Sequence, residues 1–288
     1  MKRSKKSVEL FEMDVMDARG LIELSASVGW DYDEAEVATL LSSSFKIYGH
    51  KNSEGQVVSS AAIIQYDRRL ASIGMVIVHS DYRGLGLGKE VMQKCIESGR
   101  DRSILLIATP DGQPLYEKLG FTVVDSVHKY LCDKYKPTNL KKISGISIEA
   151  FKDEELEDIL ELDGAAFGEK RSIFLRNRLQ QSYQCIVVKD ENSRIIGFGL
   201  SVLGSVNMIL GPVVAPDHRI AELIIDRLAS KHQGKLRVDV PSGQEKLMAF
   251  LEQSGFVKVS NPPVMAIHTK EMPYRNDTLY TIASQAYG

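Results

Sequence analysis

The chain has 288 residues, 43% hydrophobic and 26% charged, with a formal net charge of −2; it is long for one domain and natural for two, each able to bury a core. That balance gives no electrostatic case for nucleic acid or an anionic membrane as the main partner, and no apolar run approaches the roughly 18 residues of a membrane span. Cys95, Cys132 and Cys185 have no C-x-x-C spacing and the six histidines form no H-E-x-x-H pair, which argues against a disulfide framework or a metal site and for reduced thiols in a cytoplasm.

In chain order, MKRSKK reads as a solvated basic tail; SVELFEMD follows it instead of an apolar core, so it is not a secretory signal. VELFEM is the first strand, and helices are expected near residues 16–28 and 33–42. SFKIYGH, QVVSSAAIIQY and LASIGMVIV are β-branched and aliphatic runs of strand type. The next segment, HSDYRGLGLGK at 79–89, places alternate glycines between a strand and a helix expected over 87–98, where Leu87, Val91 and Cys95 recur at helical spacing. A helix start leaves backbone N–H groups unpaired and carries partial positive charge, so it can hold a phosphate. Gly84, Gly86 and Gly88 let the backbone approach, while Arg83 and Lys89 add charge.

Two phosphate loops fail on spacing. A G-x-x-x-x-G-K-[ST] loop would need glycine where Arg83 stands and Ser or Thr where Glu90 stands; a G-x-G-x-x-G fingerprint needs one more residue and a later acid. A glycine turn without ligand remains the plain alternative. What fits is R-x-x-G-x-G at Arg83, Gly86 and Gly88, which resembles the acetyl-CoA pyrophosphate loop of the GNAT N-acetyltransferase superfamily.

The strand SILLIA leads to TPDGQPLYEKLGF at 109–121, expected to form a helix over 112–119 with Asp111 as N-cap, Pro114 in the first turn and Gly120 as a left-handed C-terminal cap. The strands FTVV and HKYLC follow. This segment looks like the short helix and strand that close the GNAT fold, and the resemblance covers about residues 7–133. It implies that Tyr116 protonates the departing thiolate, a role open to a phenol protonated at neutral pH, though Tyr116 also reads as ordinary aromatic packing. It further implies that Val76, Ile77 and Val78 lie along the pantetheine arm and that Arg83, Gly84, Leu85, Gly86, Leu87, Gly88 and Lys89 hold the pyrophosphate. Where some members carry a glutamate base this chain has Ser72, which cannot accept the proton. Trp30 and Asp31 border the region of the acceptor pocket; Trp30 equally anchors a helical hairpin, and Asp31, Asp33 and Glu34 equally serve as caps or solvated surface.

KYKPTNLKKISG at 134–145 is polar and basic, and reads as a linker. Beyond it the plan repeats: FLEQSGFVKV at 250–259 aligns with LYEKLGFTVV at 115–124, and Asp217-His218-Arg219 with Asp81-Tyr82-Arg83. Ile220, Glu222 and Ile224 replace the three glycines and Leu251 replaces Tyr116, so the second copy should not bind coenzyme by the usual loop. The expected architecture is α/β (α+β): two tandem GNAT-like domains over 1–135 and 146–288, each a mixed, mostly antiparallel twisted sheet flanked by helices. The arrangement resembles bacterial tandem-GNAT proteins of the YitH type, whose C-terminal half is diverged. The resemblance implies an acetyltransferase moving acetyl from acetyl-CoA to a primary amine of a small molecule in a cleft between domains, without a metal. The alternative is a non-catalytic, acyl-CoA-responsive binding protein.

Overall fold

A computed structural model describes residues 8–42 and 45–287; the basic run MKRSKK lies outside them. Strand β1 (Val8–Met13) leads through a 3-10 turn into α1 (Ala18–Ser27) and α2 (Glu34–Leu40). An antiparallel meander follows, β2 (Phe45–Asn52), β3 (Val57–Gln65) and β4 (Leu70–Val78). Then come α3 (Leu87–Ser98), β5 (Ser103–Ile107), α4 (Gln113–Lys118) and β6 (Thr122–Cys132). The order recurs as β7 (Ile146–Ala150), α5 (Leu156–Phe167), α6 (Ser172–Gln181), β8 (Ser182–Asp190), β9 (Ile195–Leu203) and β10 (Met208–Val214). It continues with α7 (His218–Ala229), β11 (Leu236–Pro241), α8 (Glu245–Gln253), β12 (Val257–Ser260) and β13 (Pro263–Ile267); a short extra strand, β14 (Leu279–Thr281), ends it.

Local chemistry accounts for the elements that matter at the site. β3 and the start of β4 are buried on both faces, which is why their sequences show small and apolar residues, among them the buried Ser59, Ser60 and Ser72, without polar alternation. α3 buries Leu87, Val91, Met92 and Cys95, one stripe at helical spacing, each side chain contributing about 1.5–3 kcal/mol. α2 starts at Asp33, whose carboxylate accepts the Glu36 N–H at 2.9 Å, so Asp33 is a helix cap. Asp111 is not the cap of α4: that helix begins after Gly112, the Thr109 hydroxyl accepts the Gly112 N–H at 3.2 Å, and Asp111 instead faces Arg83 at 3.6 Å.

FTVV and HKYLC are one strand, because each part of β6 has its own partner. Thr122–Ser126 pairs with β13 and Val127–Cys132 with β11, so Asp125-Ser126, which looks like a break, is bridged from both sides. β13 comes from the second half of the chain yet lies between β5 and β6 of the first. The strands therefore form one 14-stranded sheet, β1-β2-β3-β4-β5-β13-β6-β11-β10-β9-β8-β7, with β12 on β6 and β14 on β10.

The halves also share a core and a buried polar junction. Leu21, Val37 and Met75 join Phe167, Phe174 and Tyr287 in one apolar cluster. Arg178 on α6 is fully buried; its Nη1 donates to Glu36 Oε1 at 2.6 Å and its Nη2 to the Ala283 carbonyl at 3.2 Å, while the Tyr287 hydroxyl donates to Glu36 Oε2 at 2.7 Å. The tail after β14 reaches the β3–β4 hairpin, where the Tyr66 hydroxyl, just past β3, donates to the Tyr287 carbonyl at 2.5 Å. A Cβ on Gly74 would stand 2.6 Å from the Ala286 carbonyl oxygen. Gly74→Ala is therefore expected to cost about 1–3 kcal/mol and lower Tm; an unchanged melting curve would show that the tail gives way freely.

Candidate functional site

The site begins where β4 and β5 part. β4 runs beside β3 for almost its full length but pairs with parallel β5 only at Leu70, Ala71 and Ser72. From Ile73 onward the two strands diverge. Met75 adopts φ +52° at a shift in the β3 register, and the buried Ser60 hydroxyl donates to its carbonyl at 2.8 Å, which secures the bulge. Beyond it Val76 and Val78 are half-buried, whereas Ile77 is turned into the core.

At the end of β4 the chain turns into α3 through Gly84 at φ +80° and Gly86 at φ +88°, conformations that disfavour any side chain. Gly86 stands at the N-cap without a side-chain hydrogen bond, so no side chain serves the first N–H groups of α3. Arg83, Gly84, Gly86 and Lys89 are exposed around that end, and Leu87 anchors it from below. Gly88 has a different role: a Cβ there would lie 3.3 Å from Val78 and 3.4 Å from Leu115, so its absence lets α3 pack onto β4 and α4. The arrangement is an open, glycine-lined cradle with unpaired helix N–H groups at one end of the divergent strands, of the kind that can hold an anion.

Tyr116 lies at the other end. Its ring is 5% exposed and packs at 6.2 Å from Phe121; burial pushes its pKa up to about 12, so the phenol is protonated at neutral pH. Gly112 makes room for it, since a Cβ there would meet the hydroxyl at 2.7 Å. Among the described residues the hydroxyl has no hydrogen-bond partner, and Tyr116 lines a cavity of about 320 Å3 together with Val76, Trp30 and Asp31. Trp30 is half-buried against the core, 6.2 Å from the Tyr32 ring, and the Asp31 carbonyl accepts from Ser205 at 2.9 Å. Ser72 is buried and its hydroxyl points to the Tyr287 carbonyl at 3.4 Å.

The second half supplies the opposite wall: Asn207, Arg237, Ser284 and Gln285 face the same cavity, with Lys129 of β6 beside them. Lys129 is Cα-paired with Asp239, and Arg237 is two residues along, on the same face of the β6–β11 ladder. Asp239 is fully buried; its Oδ2 accepts from Arg237 Nε at 2.8 Å and its Oδ1 from Gln285 Nε2 at 2.8 Å. Burial first, and the Arg237 guanidinium second, lower the Lys129 pKa. Sequence reasoning missed these residues. The available signal was a charged side chain at the inward register of apolar strands, as in LRVDVP, but the side that receives it depends on the tail.

In the second copy both features are closed by the chain itself. β10 pairs with β11 only at Met208 and Ile209, and β14 then runs alongside β10 at Val213 and Val214, with the Ile282 N–H on the Asp239 carbonyl at 3.0 Å. The divergence is filled. At the start of α7 the Asp217 carboxylate accepts the N–H groups of Arg219 and Ile220 at 2.9 and 3.1 Å, so an acidic side chain occupies the place open at Gly86.

Divergent parallel strands, an open glycine-lined helix start and a buried phenol fit an acyltransferase of the GNAT kind, and comparison with known proteins shows that class. A family model described as acetyltransferase (GNAT) family matches residues 21–121, and one described as acetyltransferase (GNAT) domain matches residues 159–281. The uncharacterized N-acetyltransferase YitH of Bacillus subtilis is 36% identical over 282 residues, covering 97% of this chain and 98% of that one. A crystal structure from Pyrococcus horikoshii shares the fold with a TM-score of 0.79 at 20% identity, over 99% of this chain and 97% of that one. A tandem GNAT protein from the clavulanic acid biosynthesis pathway does so with a TM-score of 0.69 at 13% identity, over 91% and 98%. The chain belongs to the GNAT family, with two GNAT domains in tandem. No helix among the described residues is long and apolar enough to cross a membrane.

Proposed function

We propose that this acyltransferase moves the acetyl group of acetyl-CoA to the primary amine of a small molecule, by direct attack in a ternary complex. The supporting observation is the cavity at the parting of β4 and β5, lined by Ile73, Val76, Ile107 and Tyr116, on the strand that leads directly into the exposed glycine turn at Gly84 and Gly86. Arg83 and Lys89, with the first N–H groups of α3, would hold the pyrophosphate, and the β4 backbone would pair with the pantetheine amides. The amine lone pair attacks the thioester carbonyl, the C–S bond breaks, and Tyr116 gives its proton to the departing sulfur; the proton lost by the amine leaves through water. The division into 1–135 and 146–288 describes the duplication, and the second copy, closed by β14 and Asp217, serves as the far wall of the acceptor cleft. Three free cysteines fit a cytoplasmic setting.

Calorimetric titration with acetyl-CoA tests the reading: one site per chain is expected. Two sites would overturn the closed second copy, and none would overturn the acetyltransferase. The pH profile gives a further check. An alkylamine with a pKa near 10.4 gains neutral form about tenfold per pH unit, so kcat/KM should rise from pH 7 to 9, with no falling limb from Tyr116, which stays protonated until its pKa of about 12. A falling limb below pH 10 would remove Tyr116 from the acid role.

A further inference from the structure

We infer that the acceptor carries, besides its amine, an anionic group, carboxylate or phosphate, held by Lys129 and Arg237; this rests on the acetyltransferase reading above. The argument is one of which charges are already matched. Two carboxylates stand deepest around the cavity, and both are used. Glu36 takes Arg178 on one oxygen and Tyr287 on the other. Asp239 takes Arg237 Nε on one oxygen and Gln285 on the other. Lys129 stands directly across the strand pair from Asp239 and still has no hydrogen bond or ion pair among the described residues. Arg237 spends only its Nε on Asp239, which leaves its terminal nitrogens unbound among the described residues, in a side chain 14% exposed. The remaining acid at the cavity, Asp31, is exposed on the rim, where water screens it.

A half-buried ammonium without an ion pair and a guanidinium with its terminal nitrogens unbound, on one face of a strand ladder and lining a cavity, match an oxyanion with several acceptor oxygens. The two cations come from opposite halves of the chain, and Gln285 of the tail occupies the second oxygen of Asp239, so the second copy contributes directly to acceptor choice. Diagonal neighbours across an antiparallel pair lie roughly 7–8 Å apart, within reach of long side chains, so one carboxylate or phosphate can bridge both heads.

The test uses matched amines: an α-amino acid against its α-carboxamide, and an amino sugar phosphate against the free amino sugar. Free-thiol release from acetyl-CoA is followed for each, in the wild type, Lys129→Gln and Lys129→Arg. The wild type should prefer the anionic member in at least one pair by tenfold or more in kcat/KM, and which pair responds separates carboxylate from phosphate. Lys129→Gln should cut that preference 10- to 100-fold, mainly through KM, and Lys129→Arg should restore most of it. No preference in the wild type, or equal loss of both members through kcat, would overturn the anion subsite; the second result would point to a proton-transfer role for Lys129. One-site acetyl-CoA binding with turnover of the neutral amines but no preference for their anionic partners overturns this inference alone. Absence of coenzyme binding overturns the acetyltransferase reading and this inference with it.

Discussion

Gly86→Asp should weaken acetyl-CoA binding by on the order of 10²–10³-fold while leaving Tm nearly unchanged. Nothing lies within 4 Å of a Cβ built at Gly86, so the side chain has room. Its φ of +88° disfavours a side chain, yet aspartate tolerates the left-handed region better than most residues, so strain is a minor part of the effect. The main effect is electrostatic. A carboxylate at the N-cap of α3 takes the N–H groups meant for phosphate and places like charge beside it, about 4 kcal/mol at 4 Å in a surface environment. Asp217 shows a carboxylate taking such N–H groups at the start of α7, there from an extended backbone. Gly86→Ala, which carries the strain without the charge, should lose tenfold at most. Titration calorimetry beside a melting curve decides the matter: an unchanged Kd in folded Gly86→Asp would mean the cradle holds no phosphate.

Tyr116→Phe should lower kcat by about 10²–10⁴-fold with the coenzyme Kd unchanged, the range expected when a positioned general acid is removed. The substitution keeps the ring against Phe121 and deletes only a hydroxyl that has no partner among the described residues, so no fold effect confounds it. A phenol with a pKa near 12 is a weak acid, but the leaving thiol shares its surroundings. Burial alone pushes the Cys95 thiol of this chain well up, and it is the main cause that takes Cys185 up to about 12, so a thiolate in the same interior is a strong base. Pre-steady-state thiol release separates chemistry from product departure; an unchanged burst rate would leave Tyr116 as packing.

The local features were legible because local chemistry makes them. β-branched runs mark β3 and β4, the Leu87, Val91 and Cys95 spacing marks α3, and the glycines at 84 and 86 adopt the positive φ that only their lack of a side chain makes easy. Tyr116 was found through a motif, and its surroundings are those of a buried phenol. What lay hidden are relations between distant segments. PVMAI reads as a strand, but nothing in it says that its neighbours are residues 104–107 and 122–126. Lys129 reads as one more charge in HKYLC until Asp239 and Gln285, from two other elements, are seen to satisfy each other without it. Asp111 looked like a cap because caps follow local rules, and Thr109, two residues earlier, fits the Gly112 N–H better.

The position of β13 sets a schedule for making the protein. On the edge away from β4, Ile104–Ile107 of β5 cannot gain β13 until residues 264–267 have been synthesised, about 160 residues later, which at 5–20 residues per second is roughly 8–30 s of translation. During that interval β5 and the start of β6 leave the ribosome as adjoining strands with a gap between them, two apolar edges open to any other nascent chain. A stop codon between α4 and β13 therefore yields an aggregation-prone fragment that still contains Gly84, Gly86 and Tyr116, and the first half of the sheet closes only once β13 has been read.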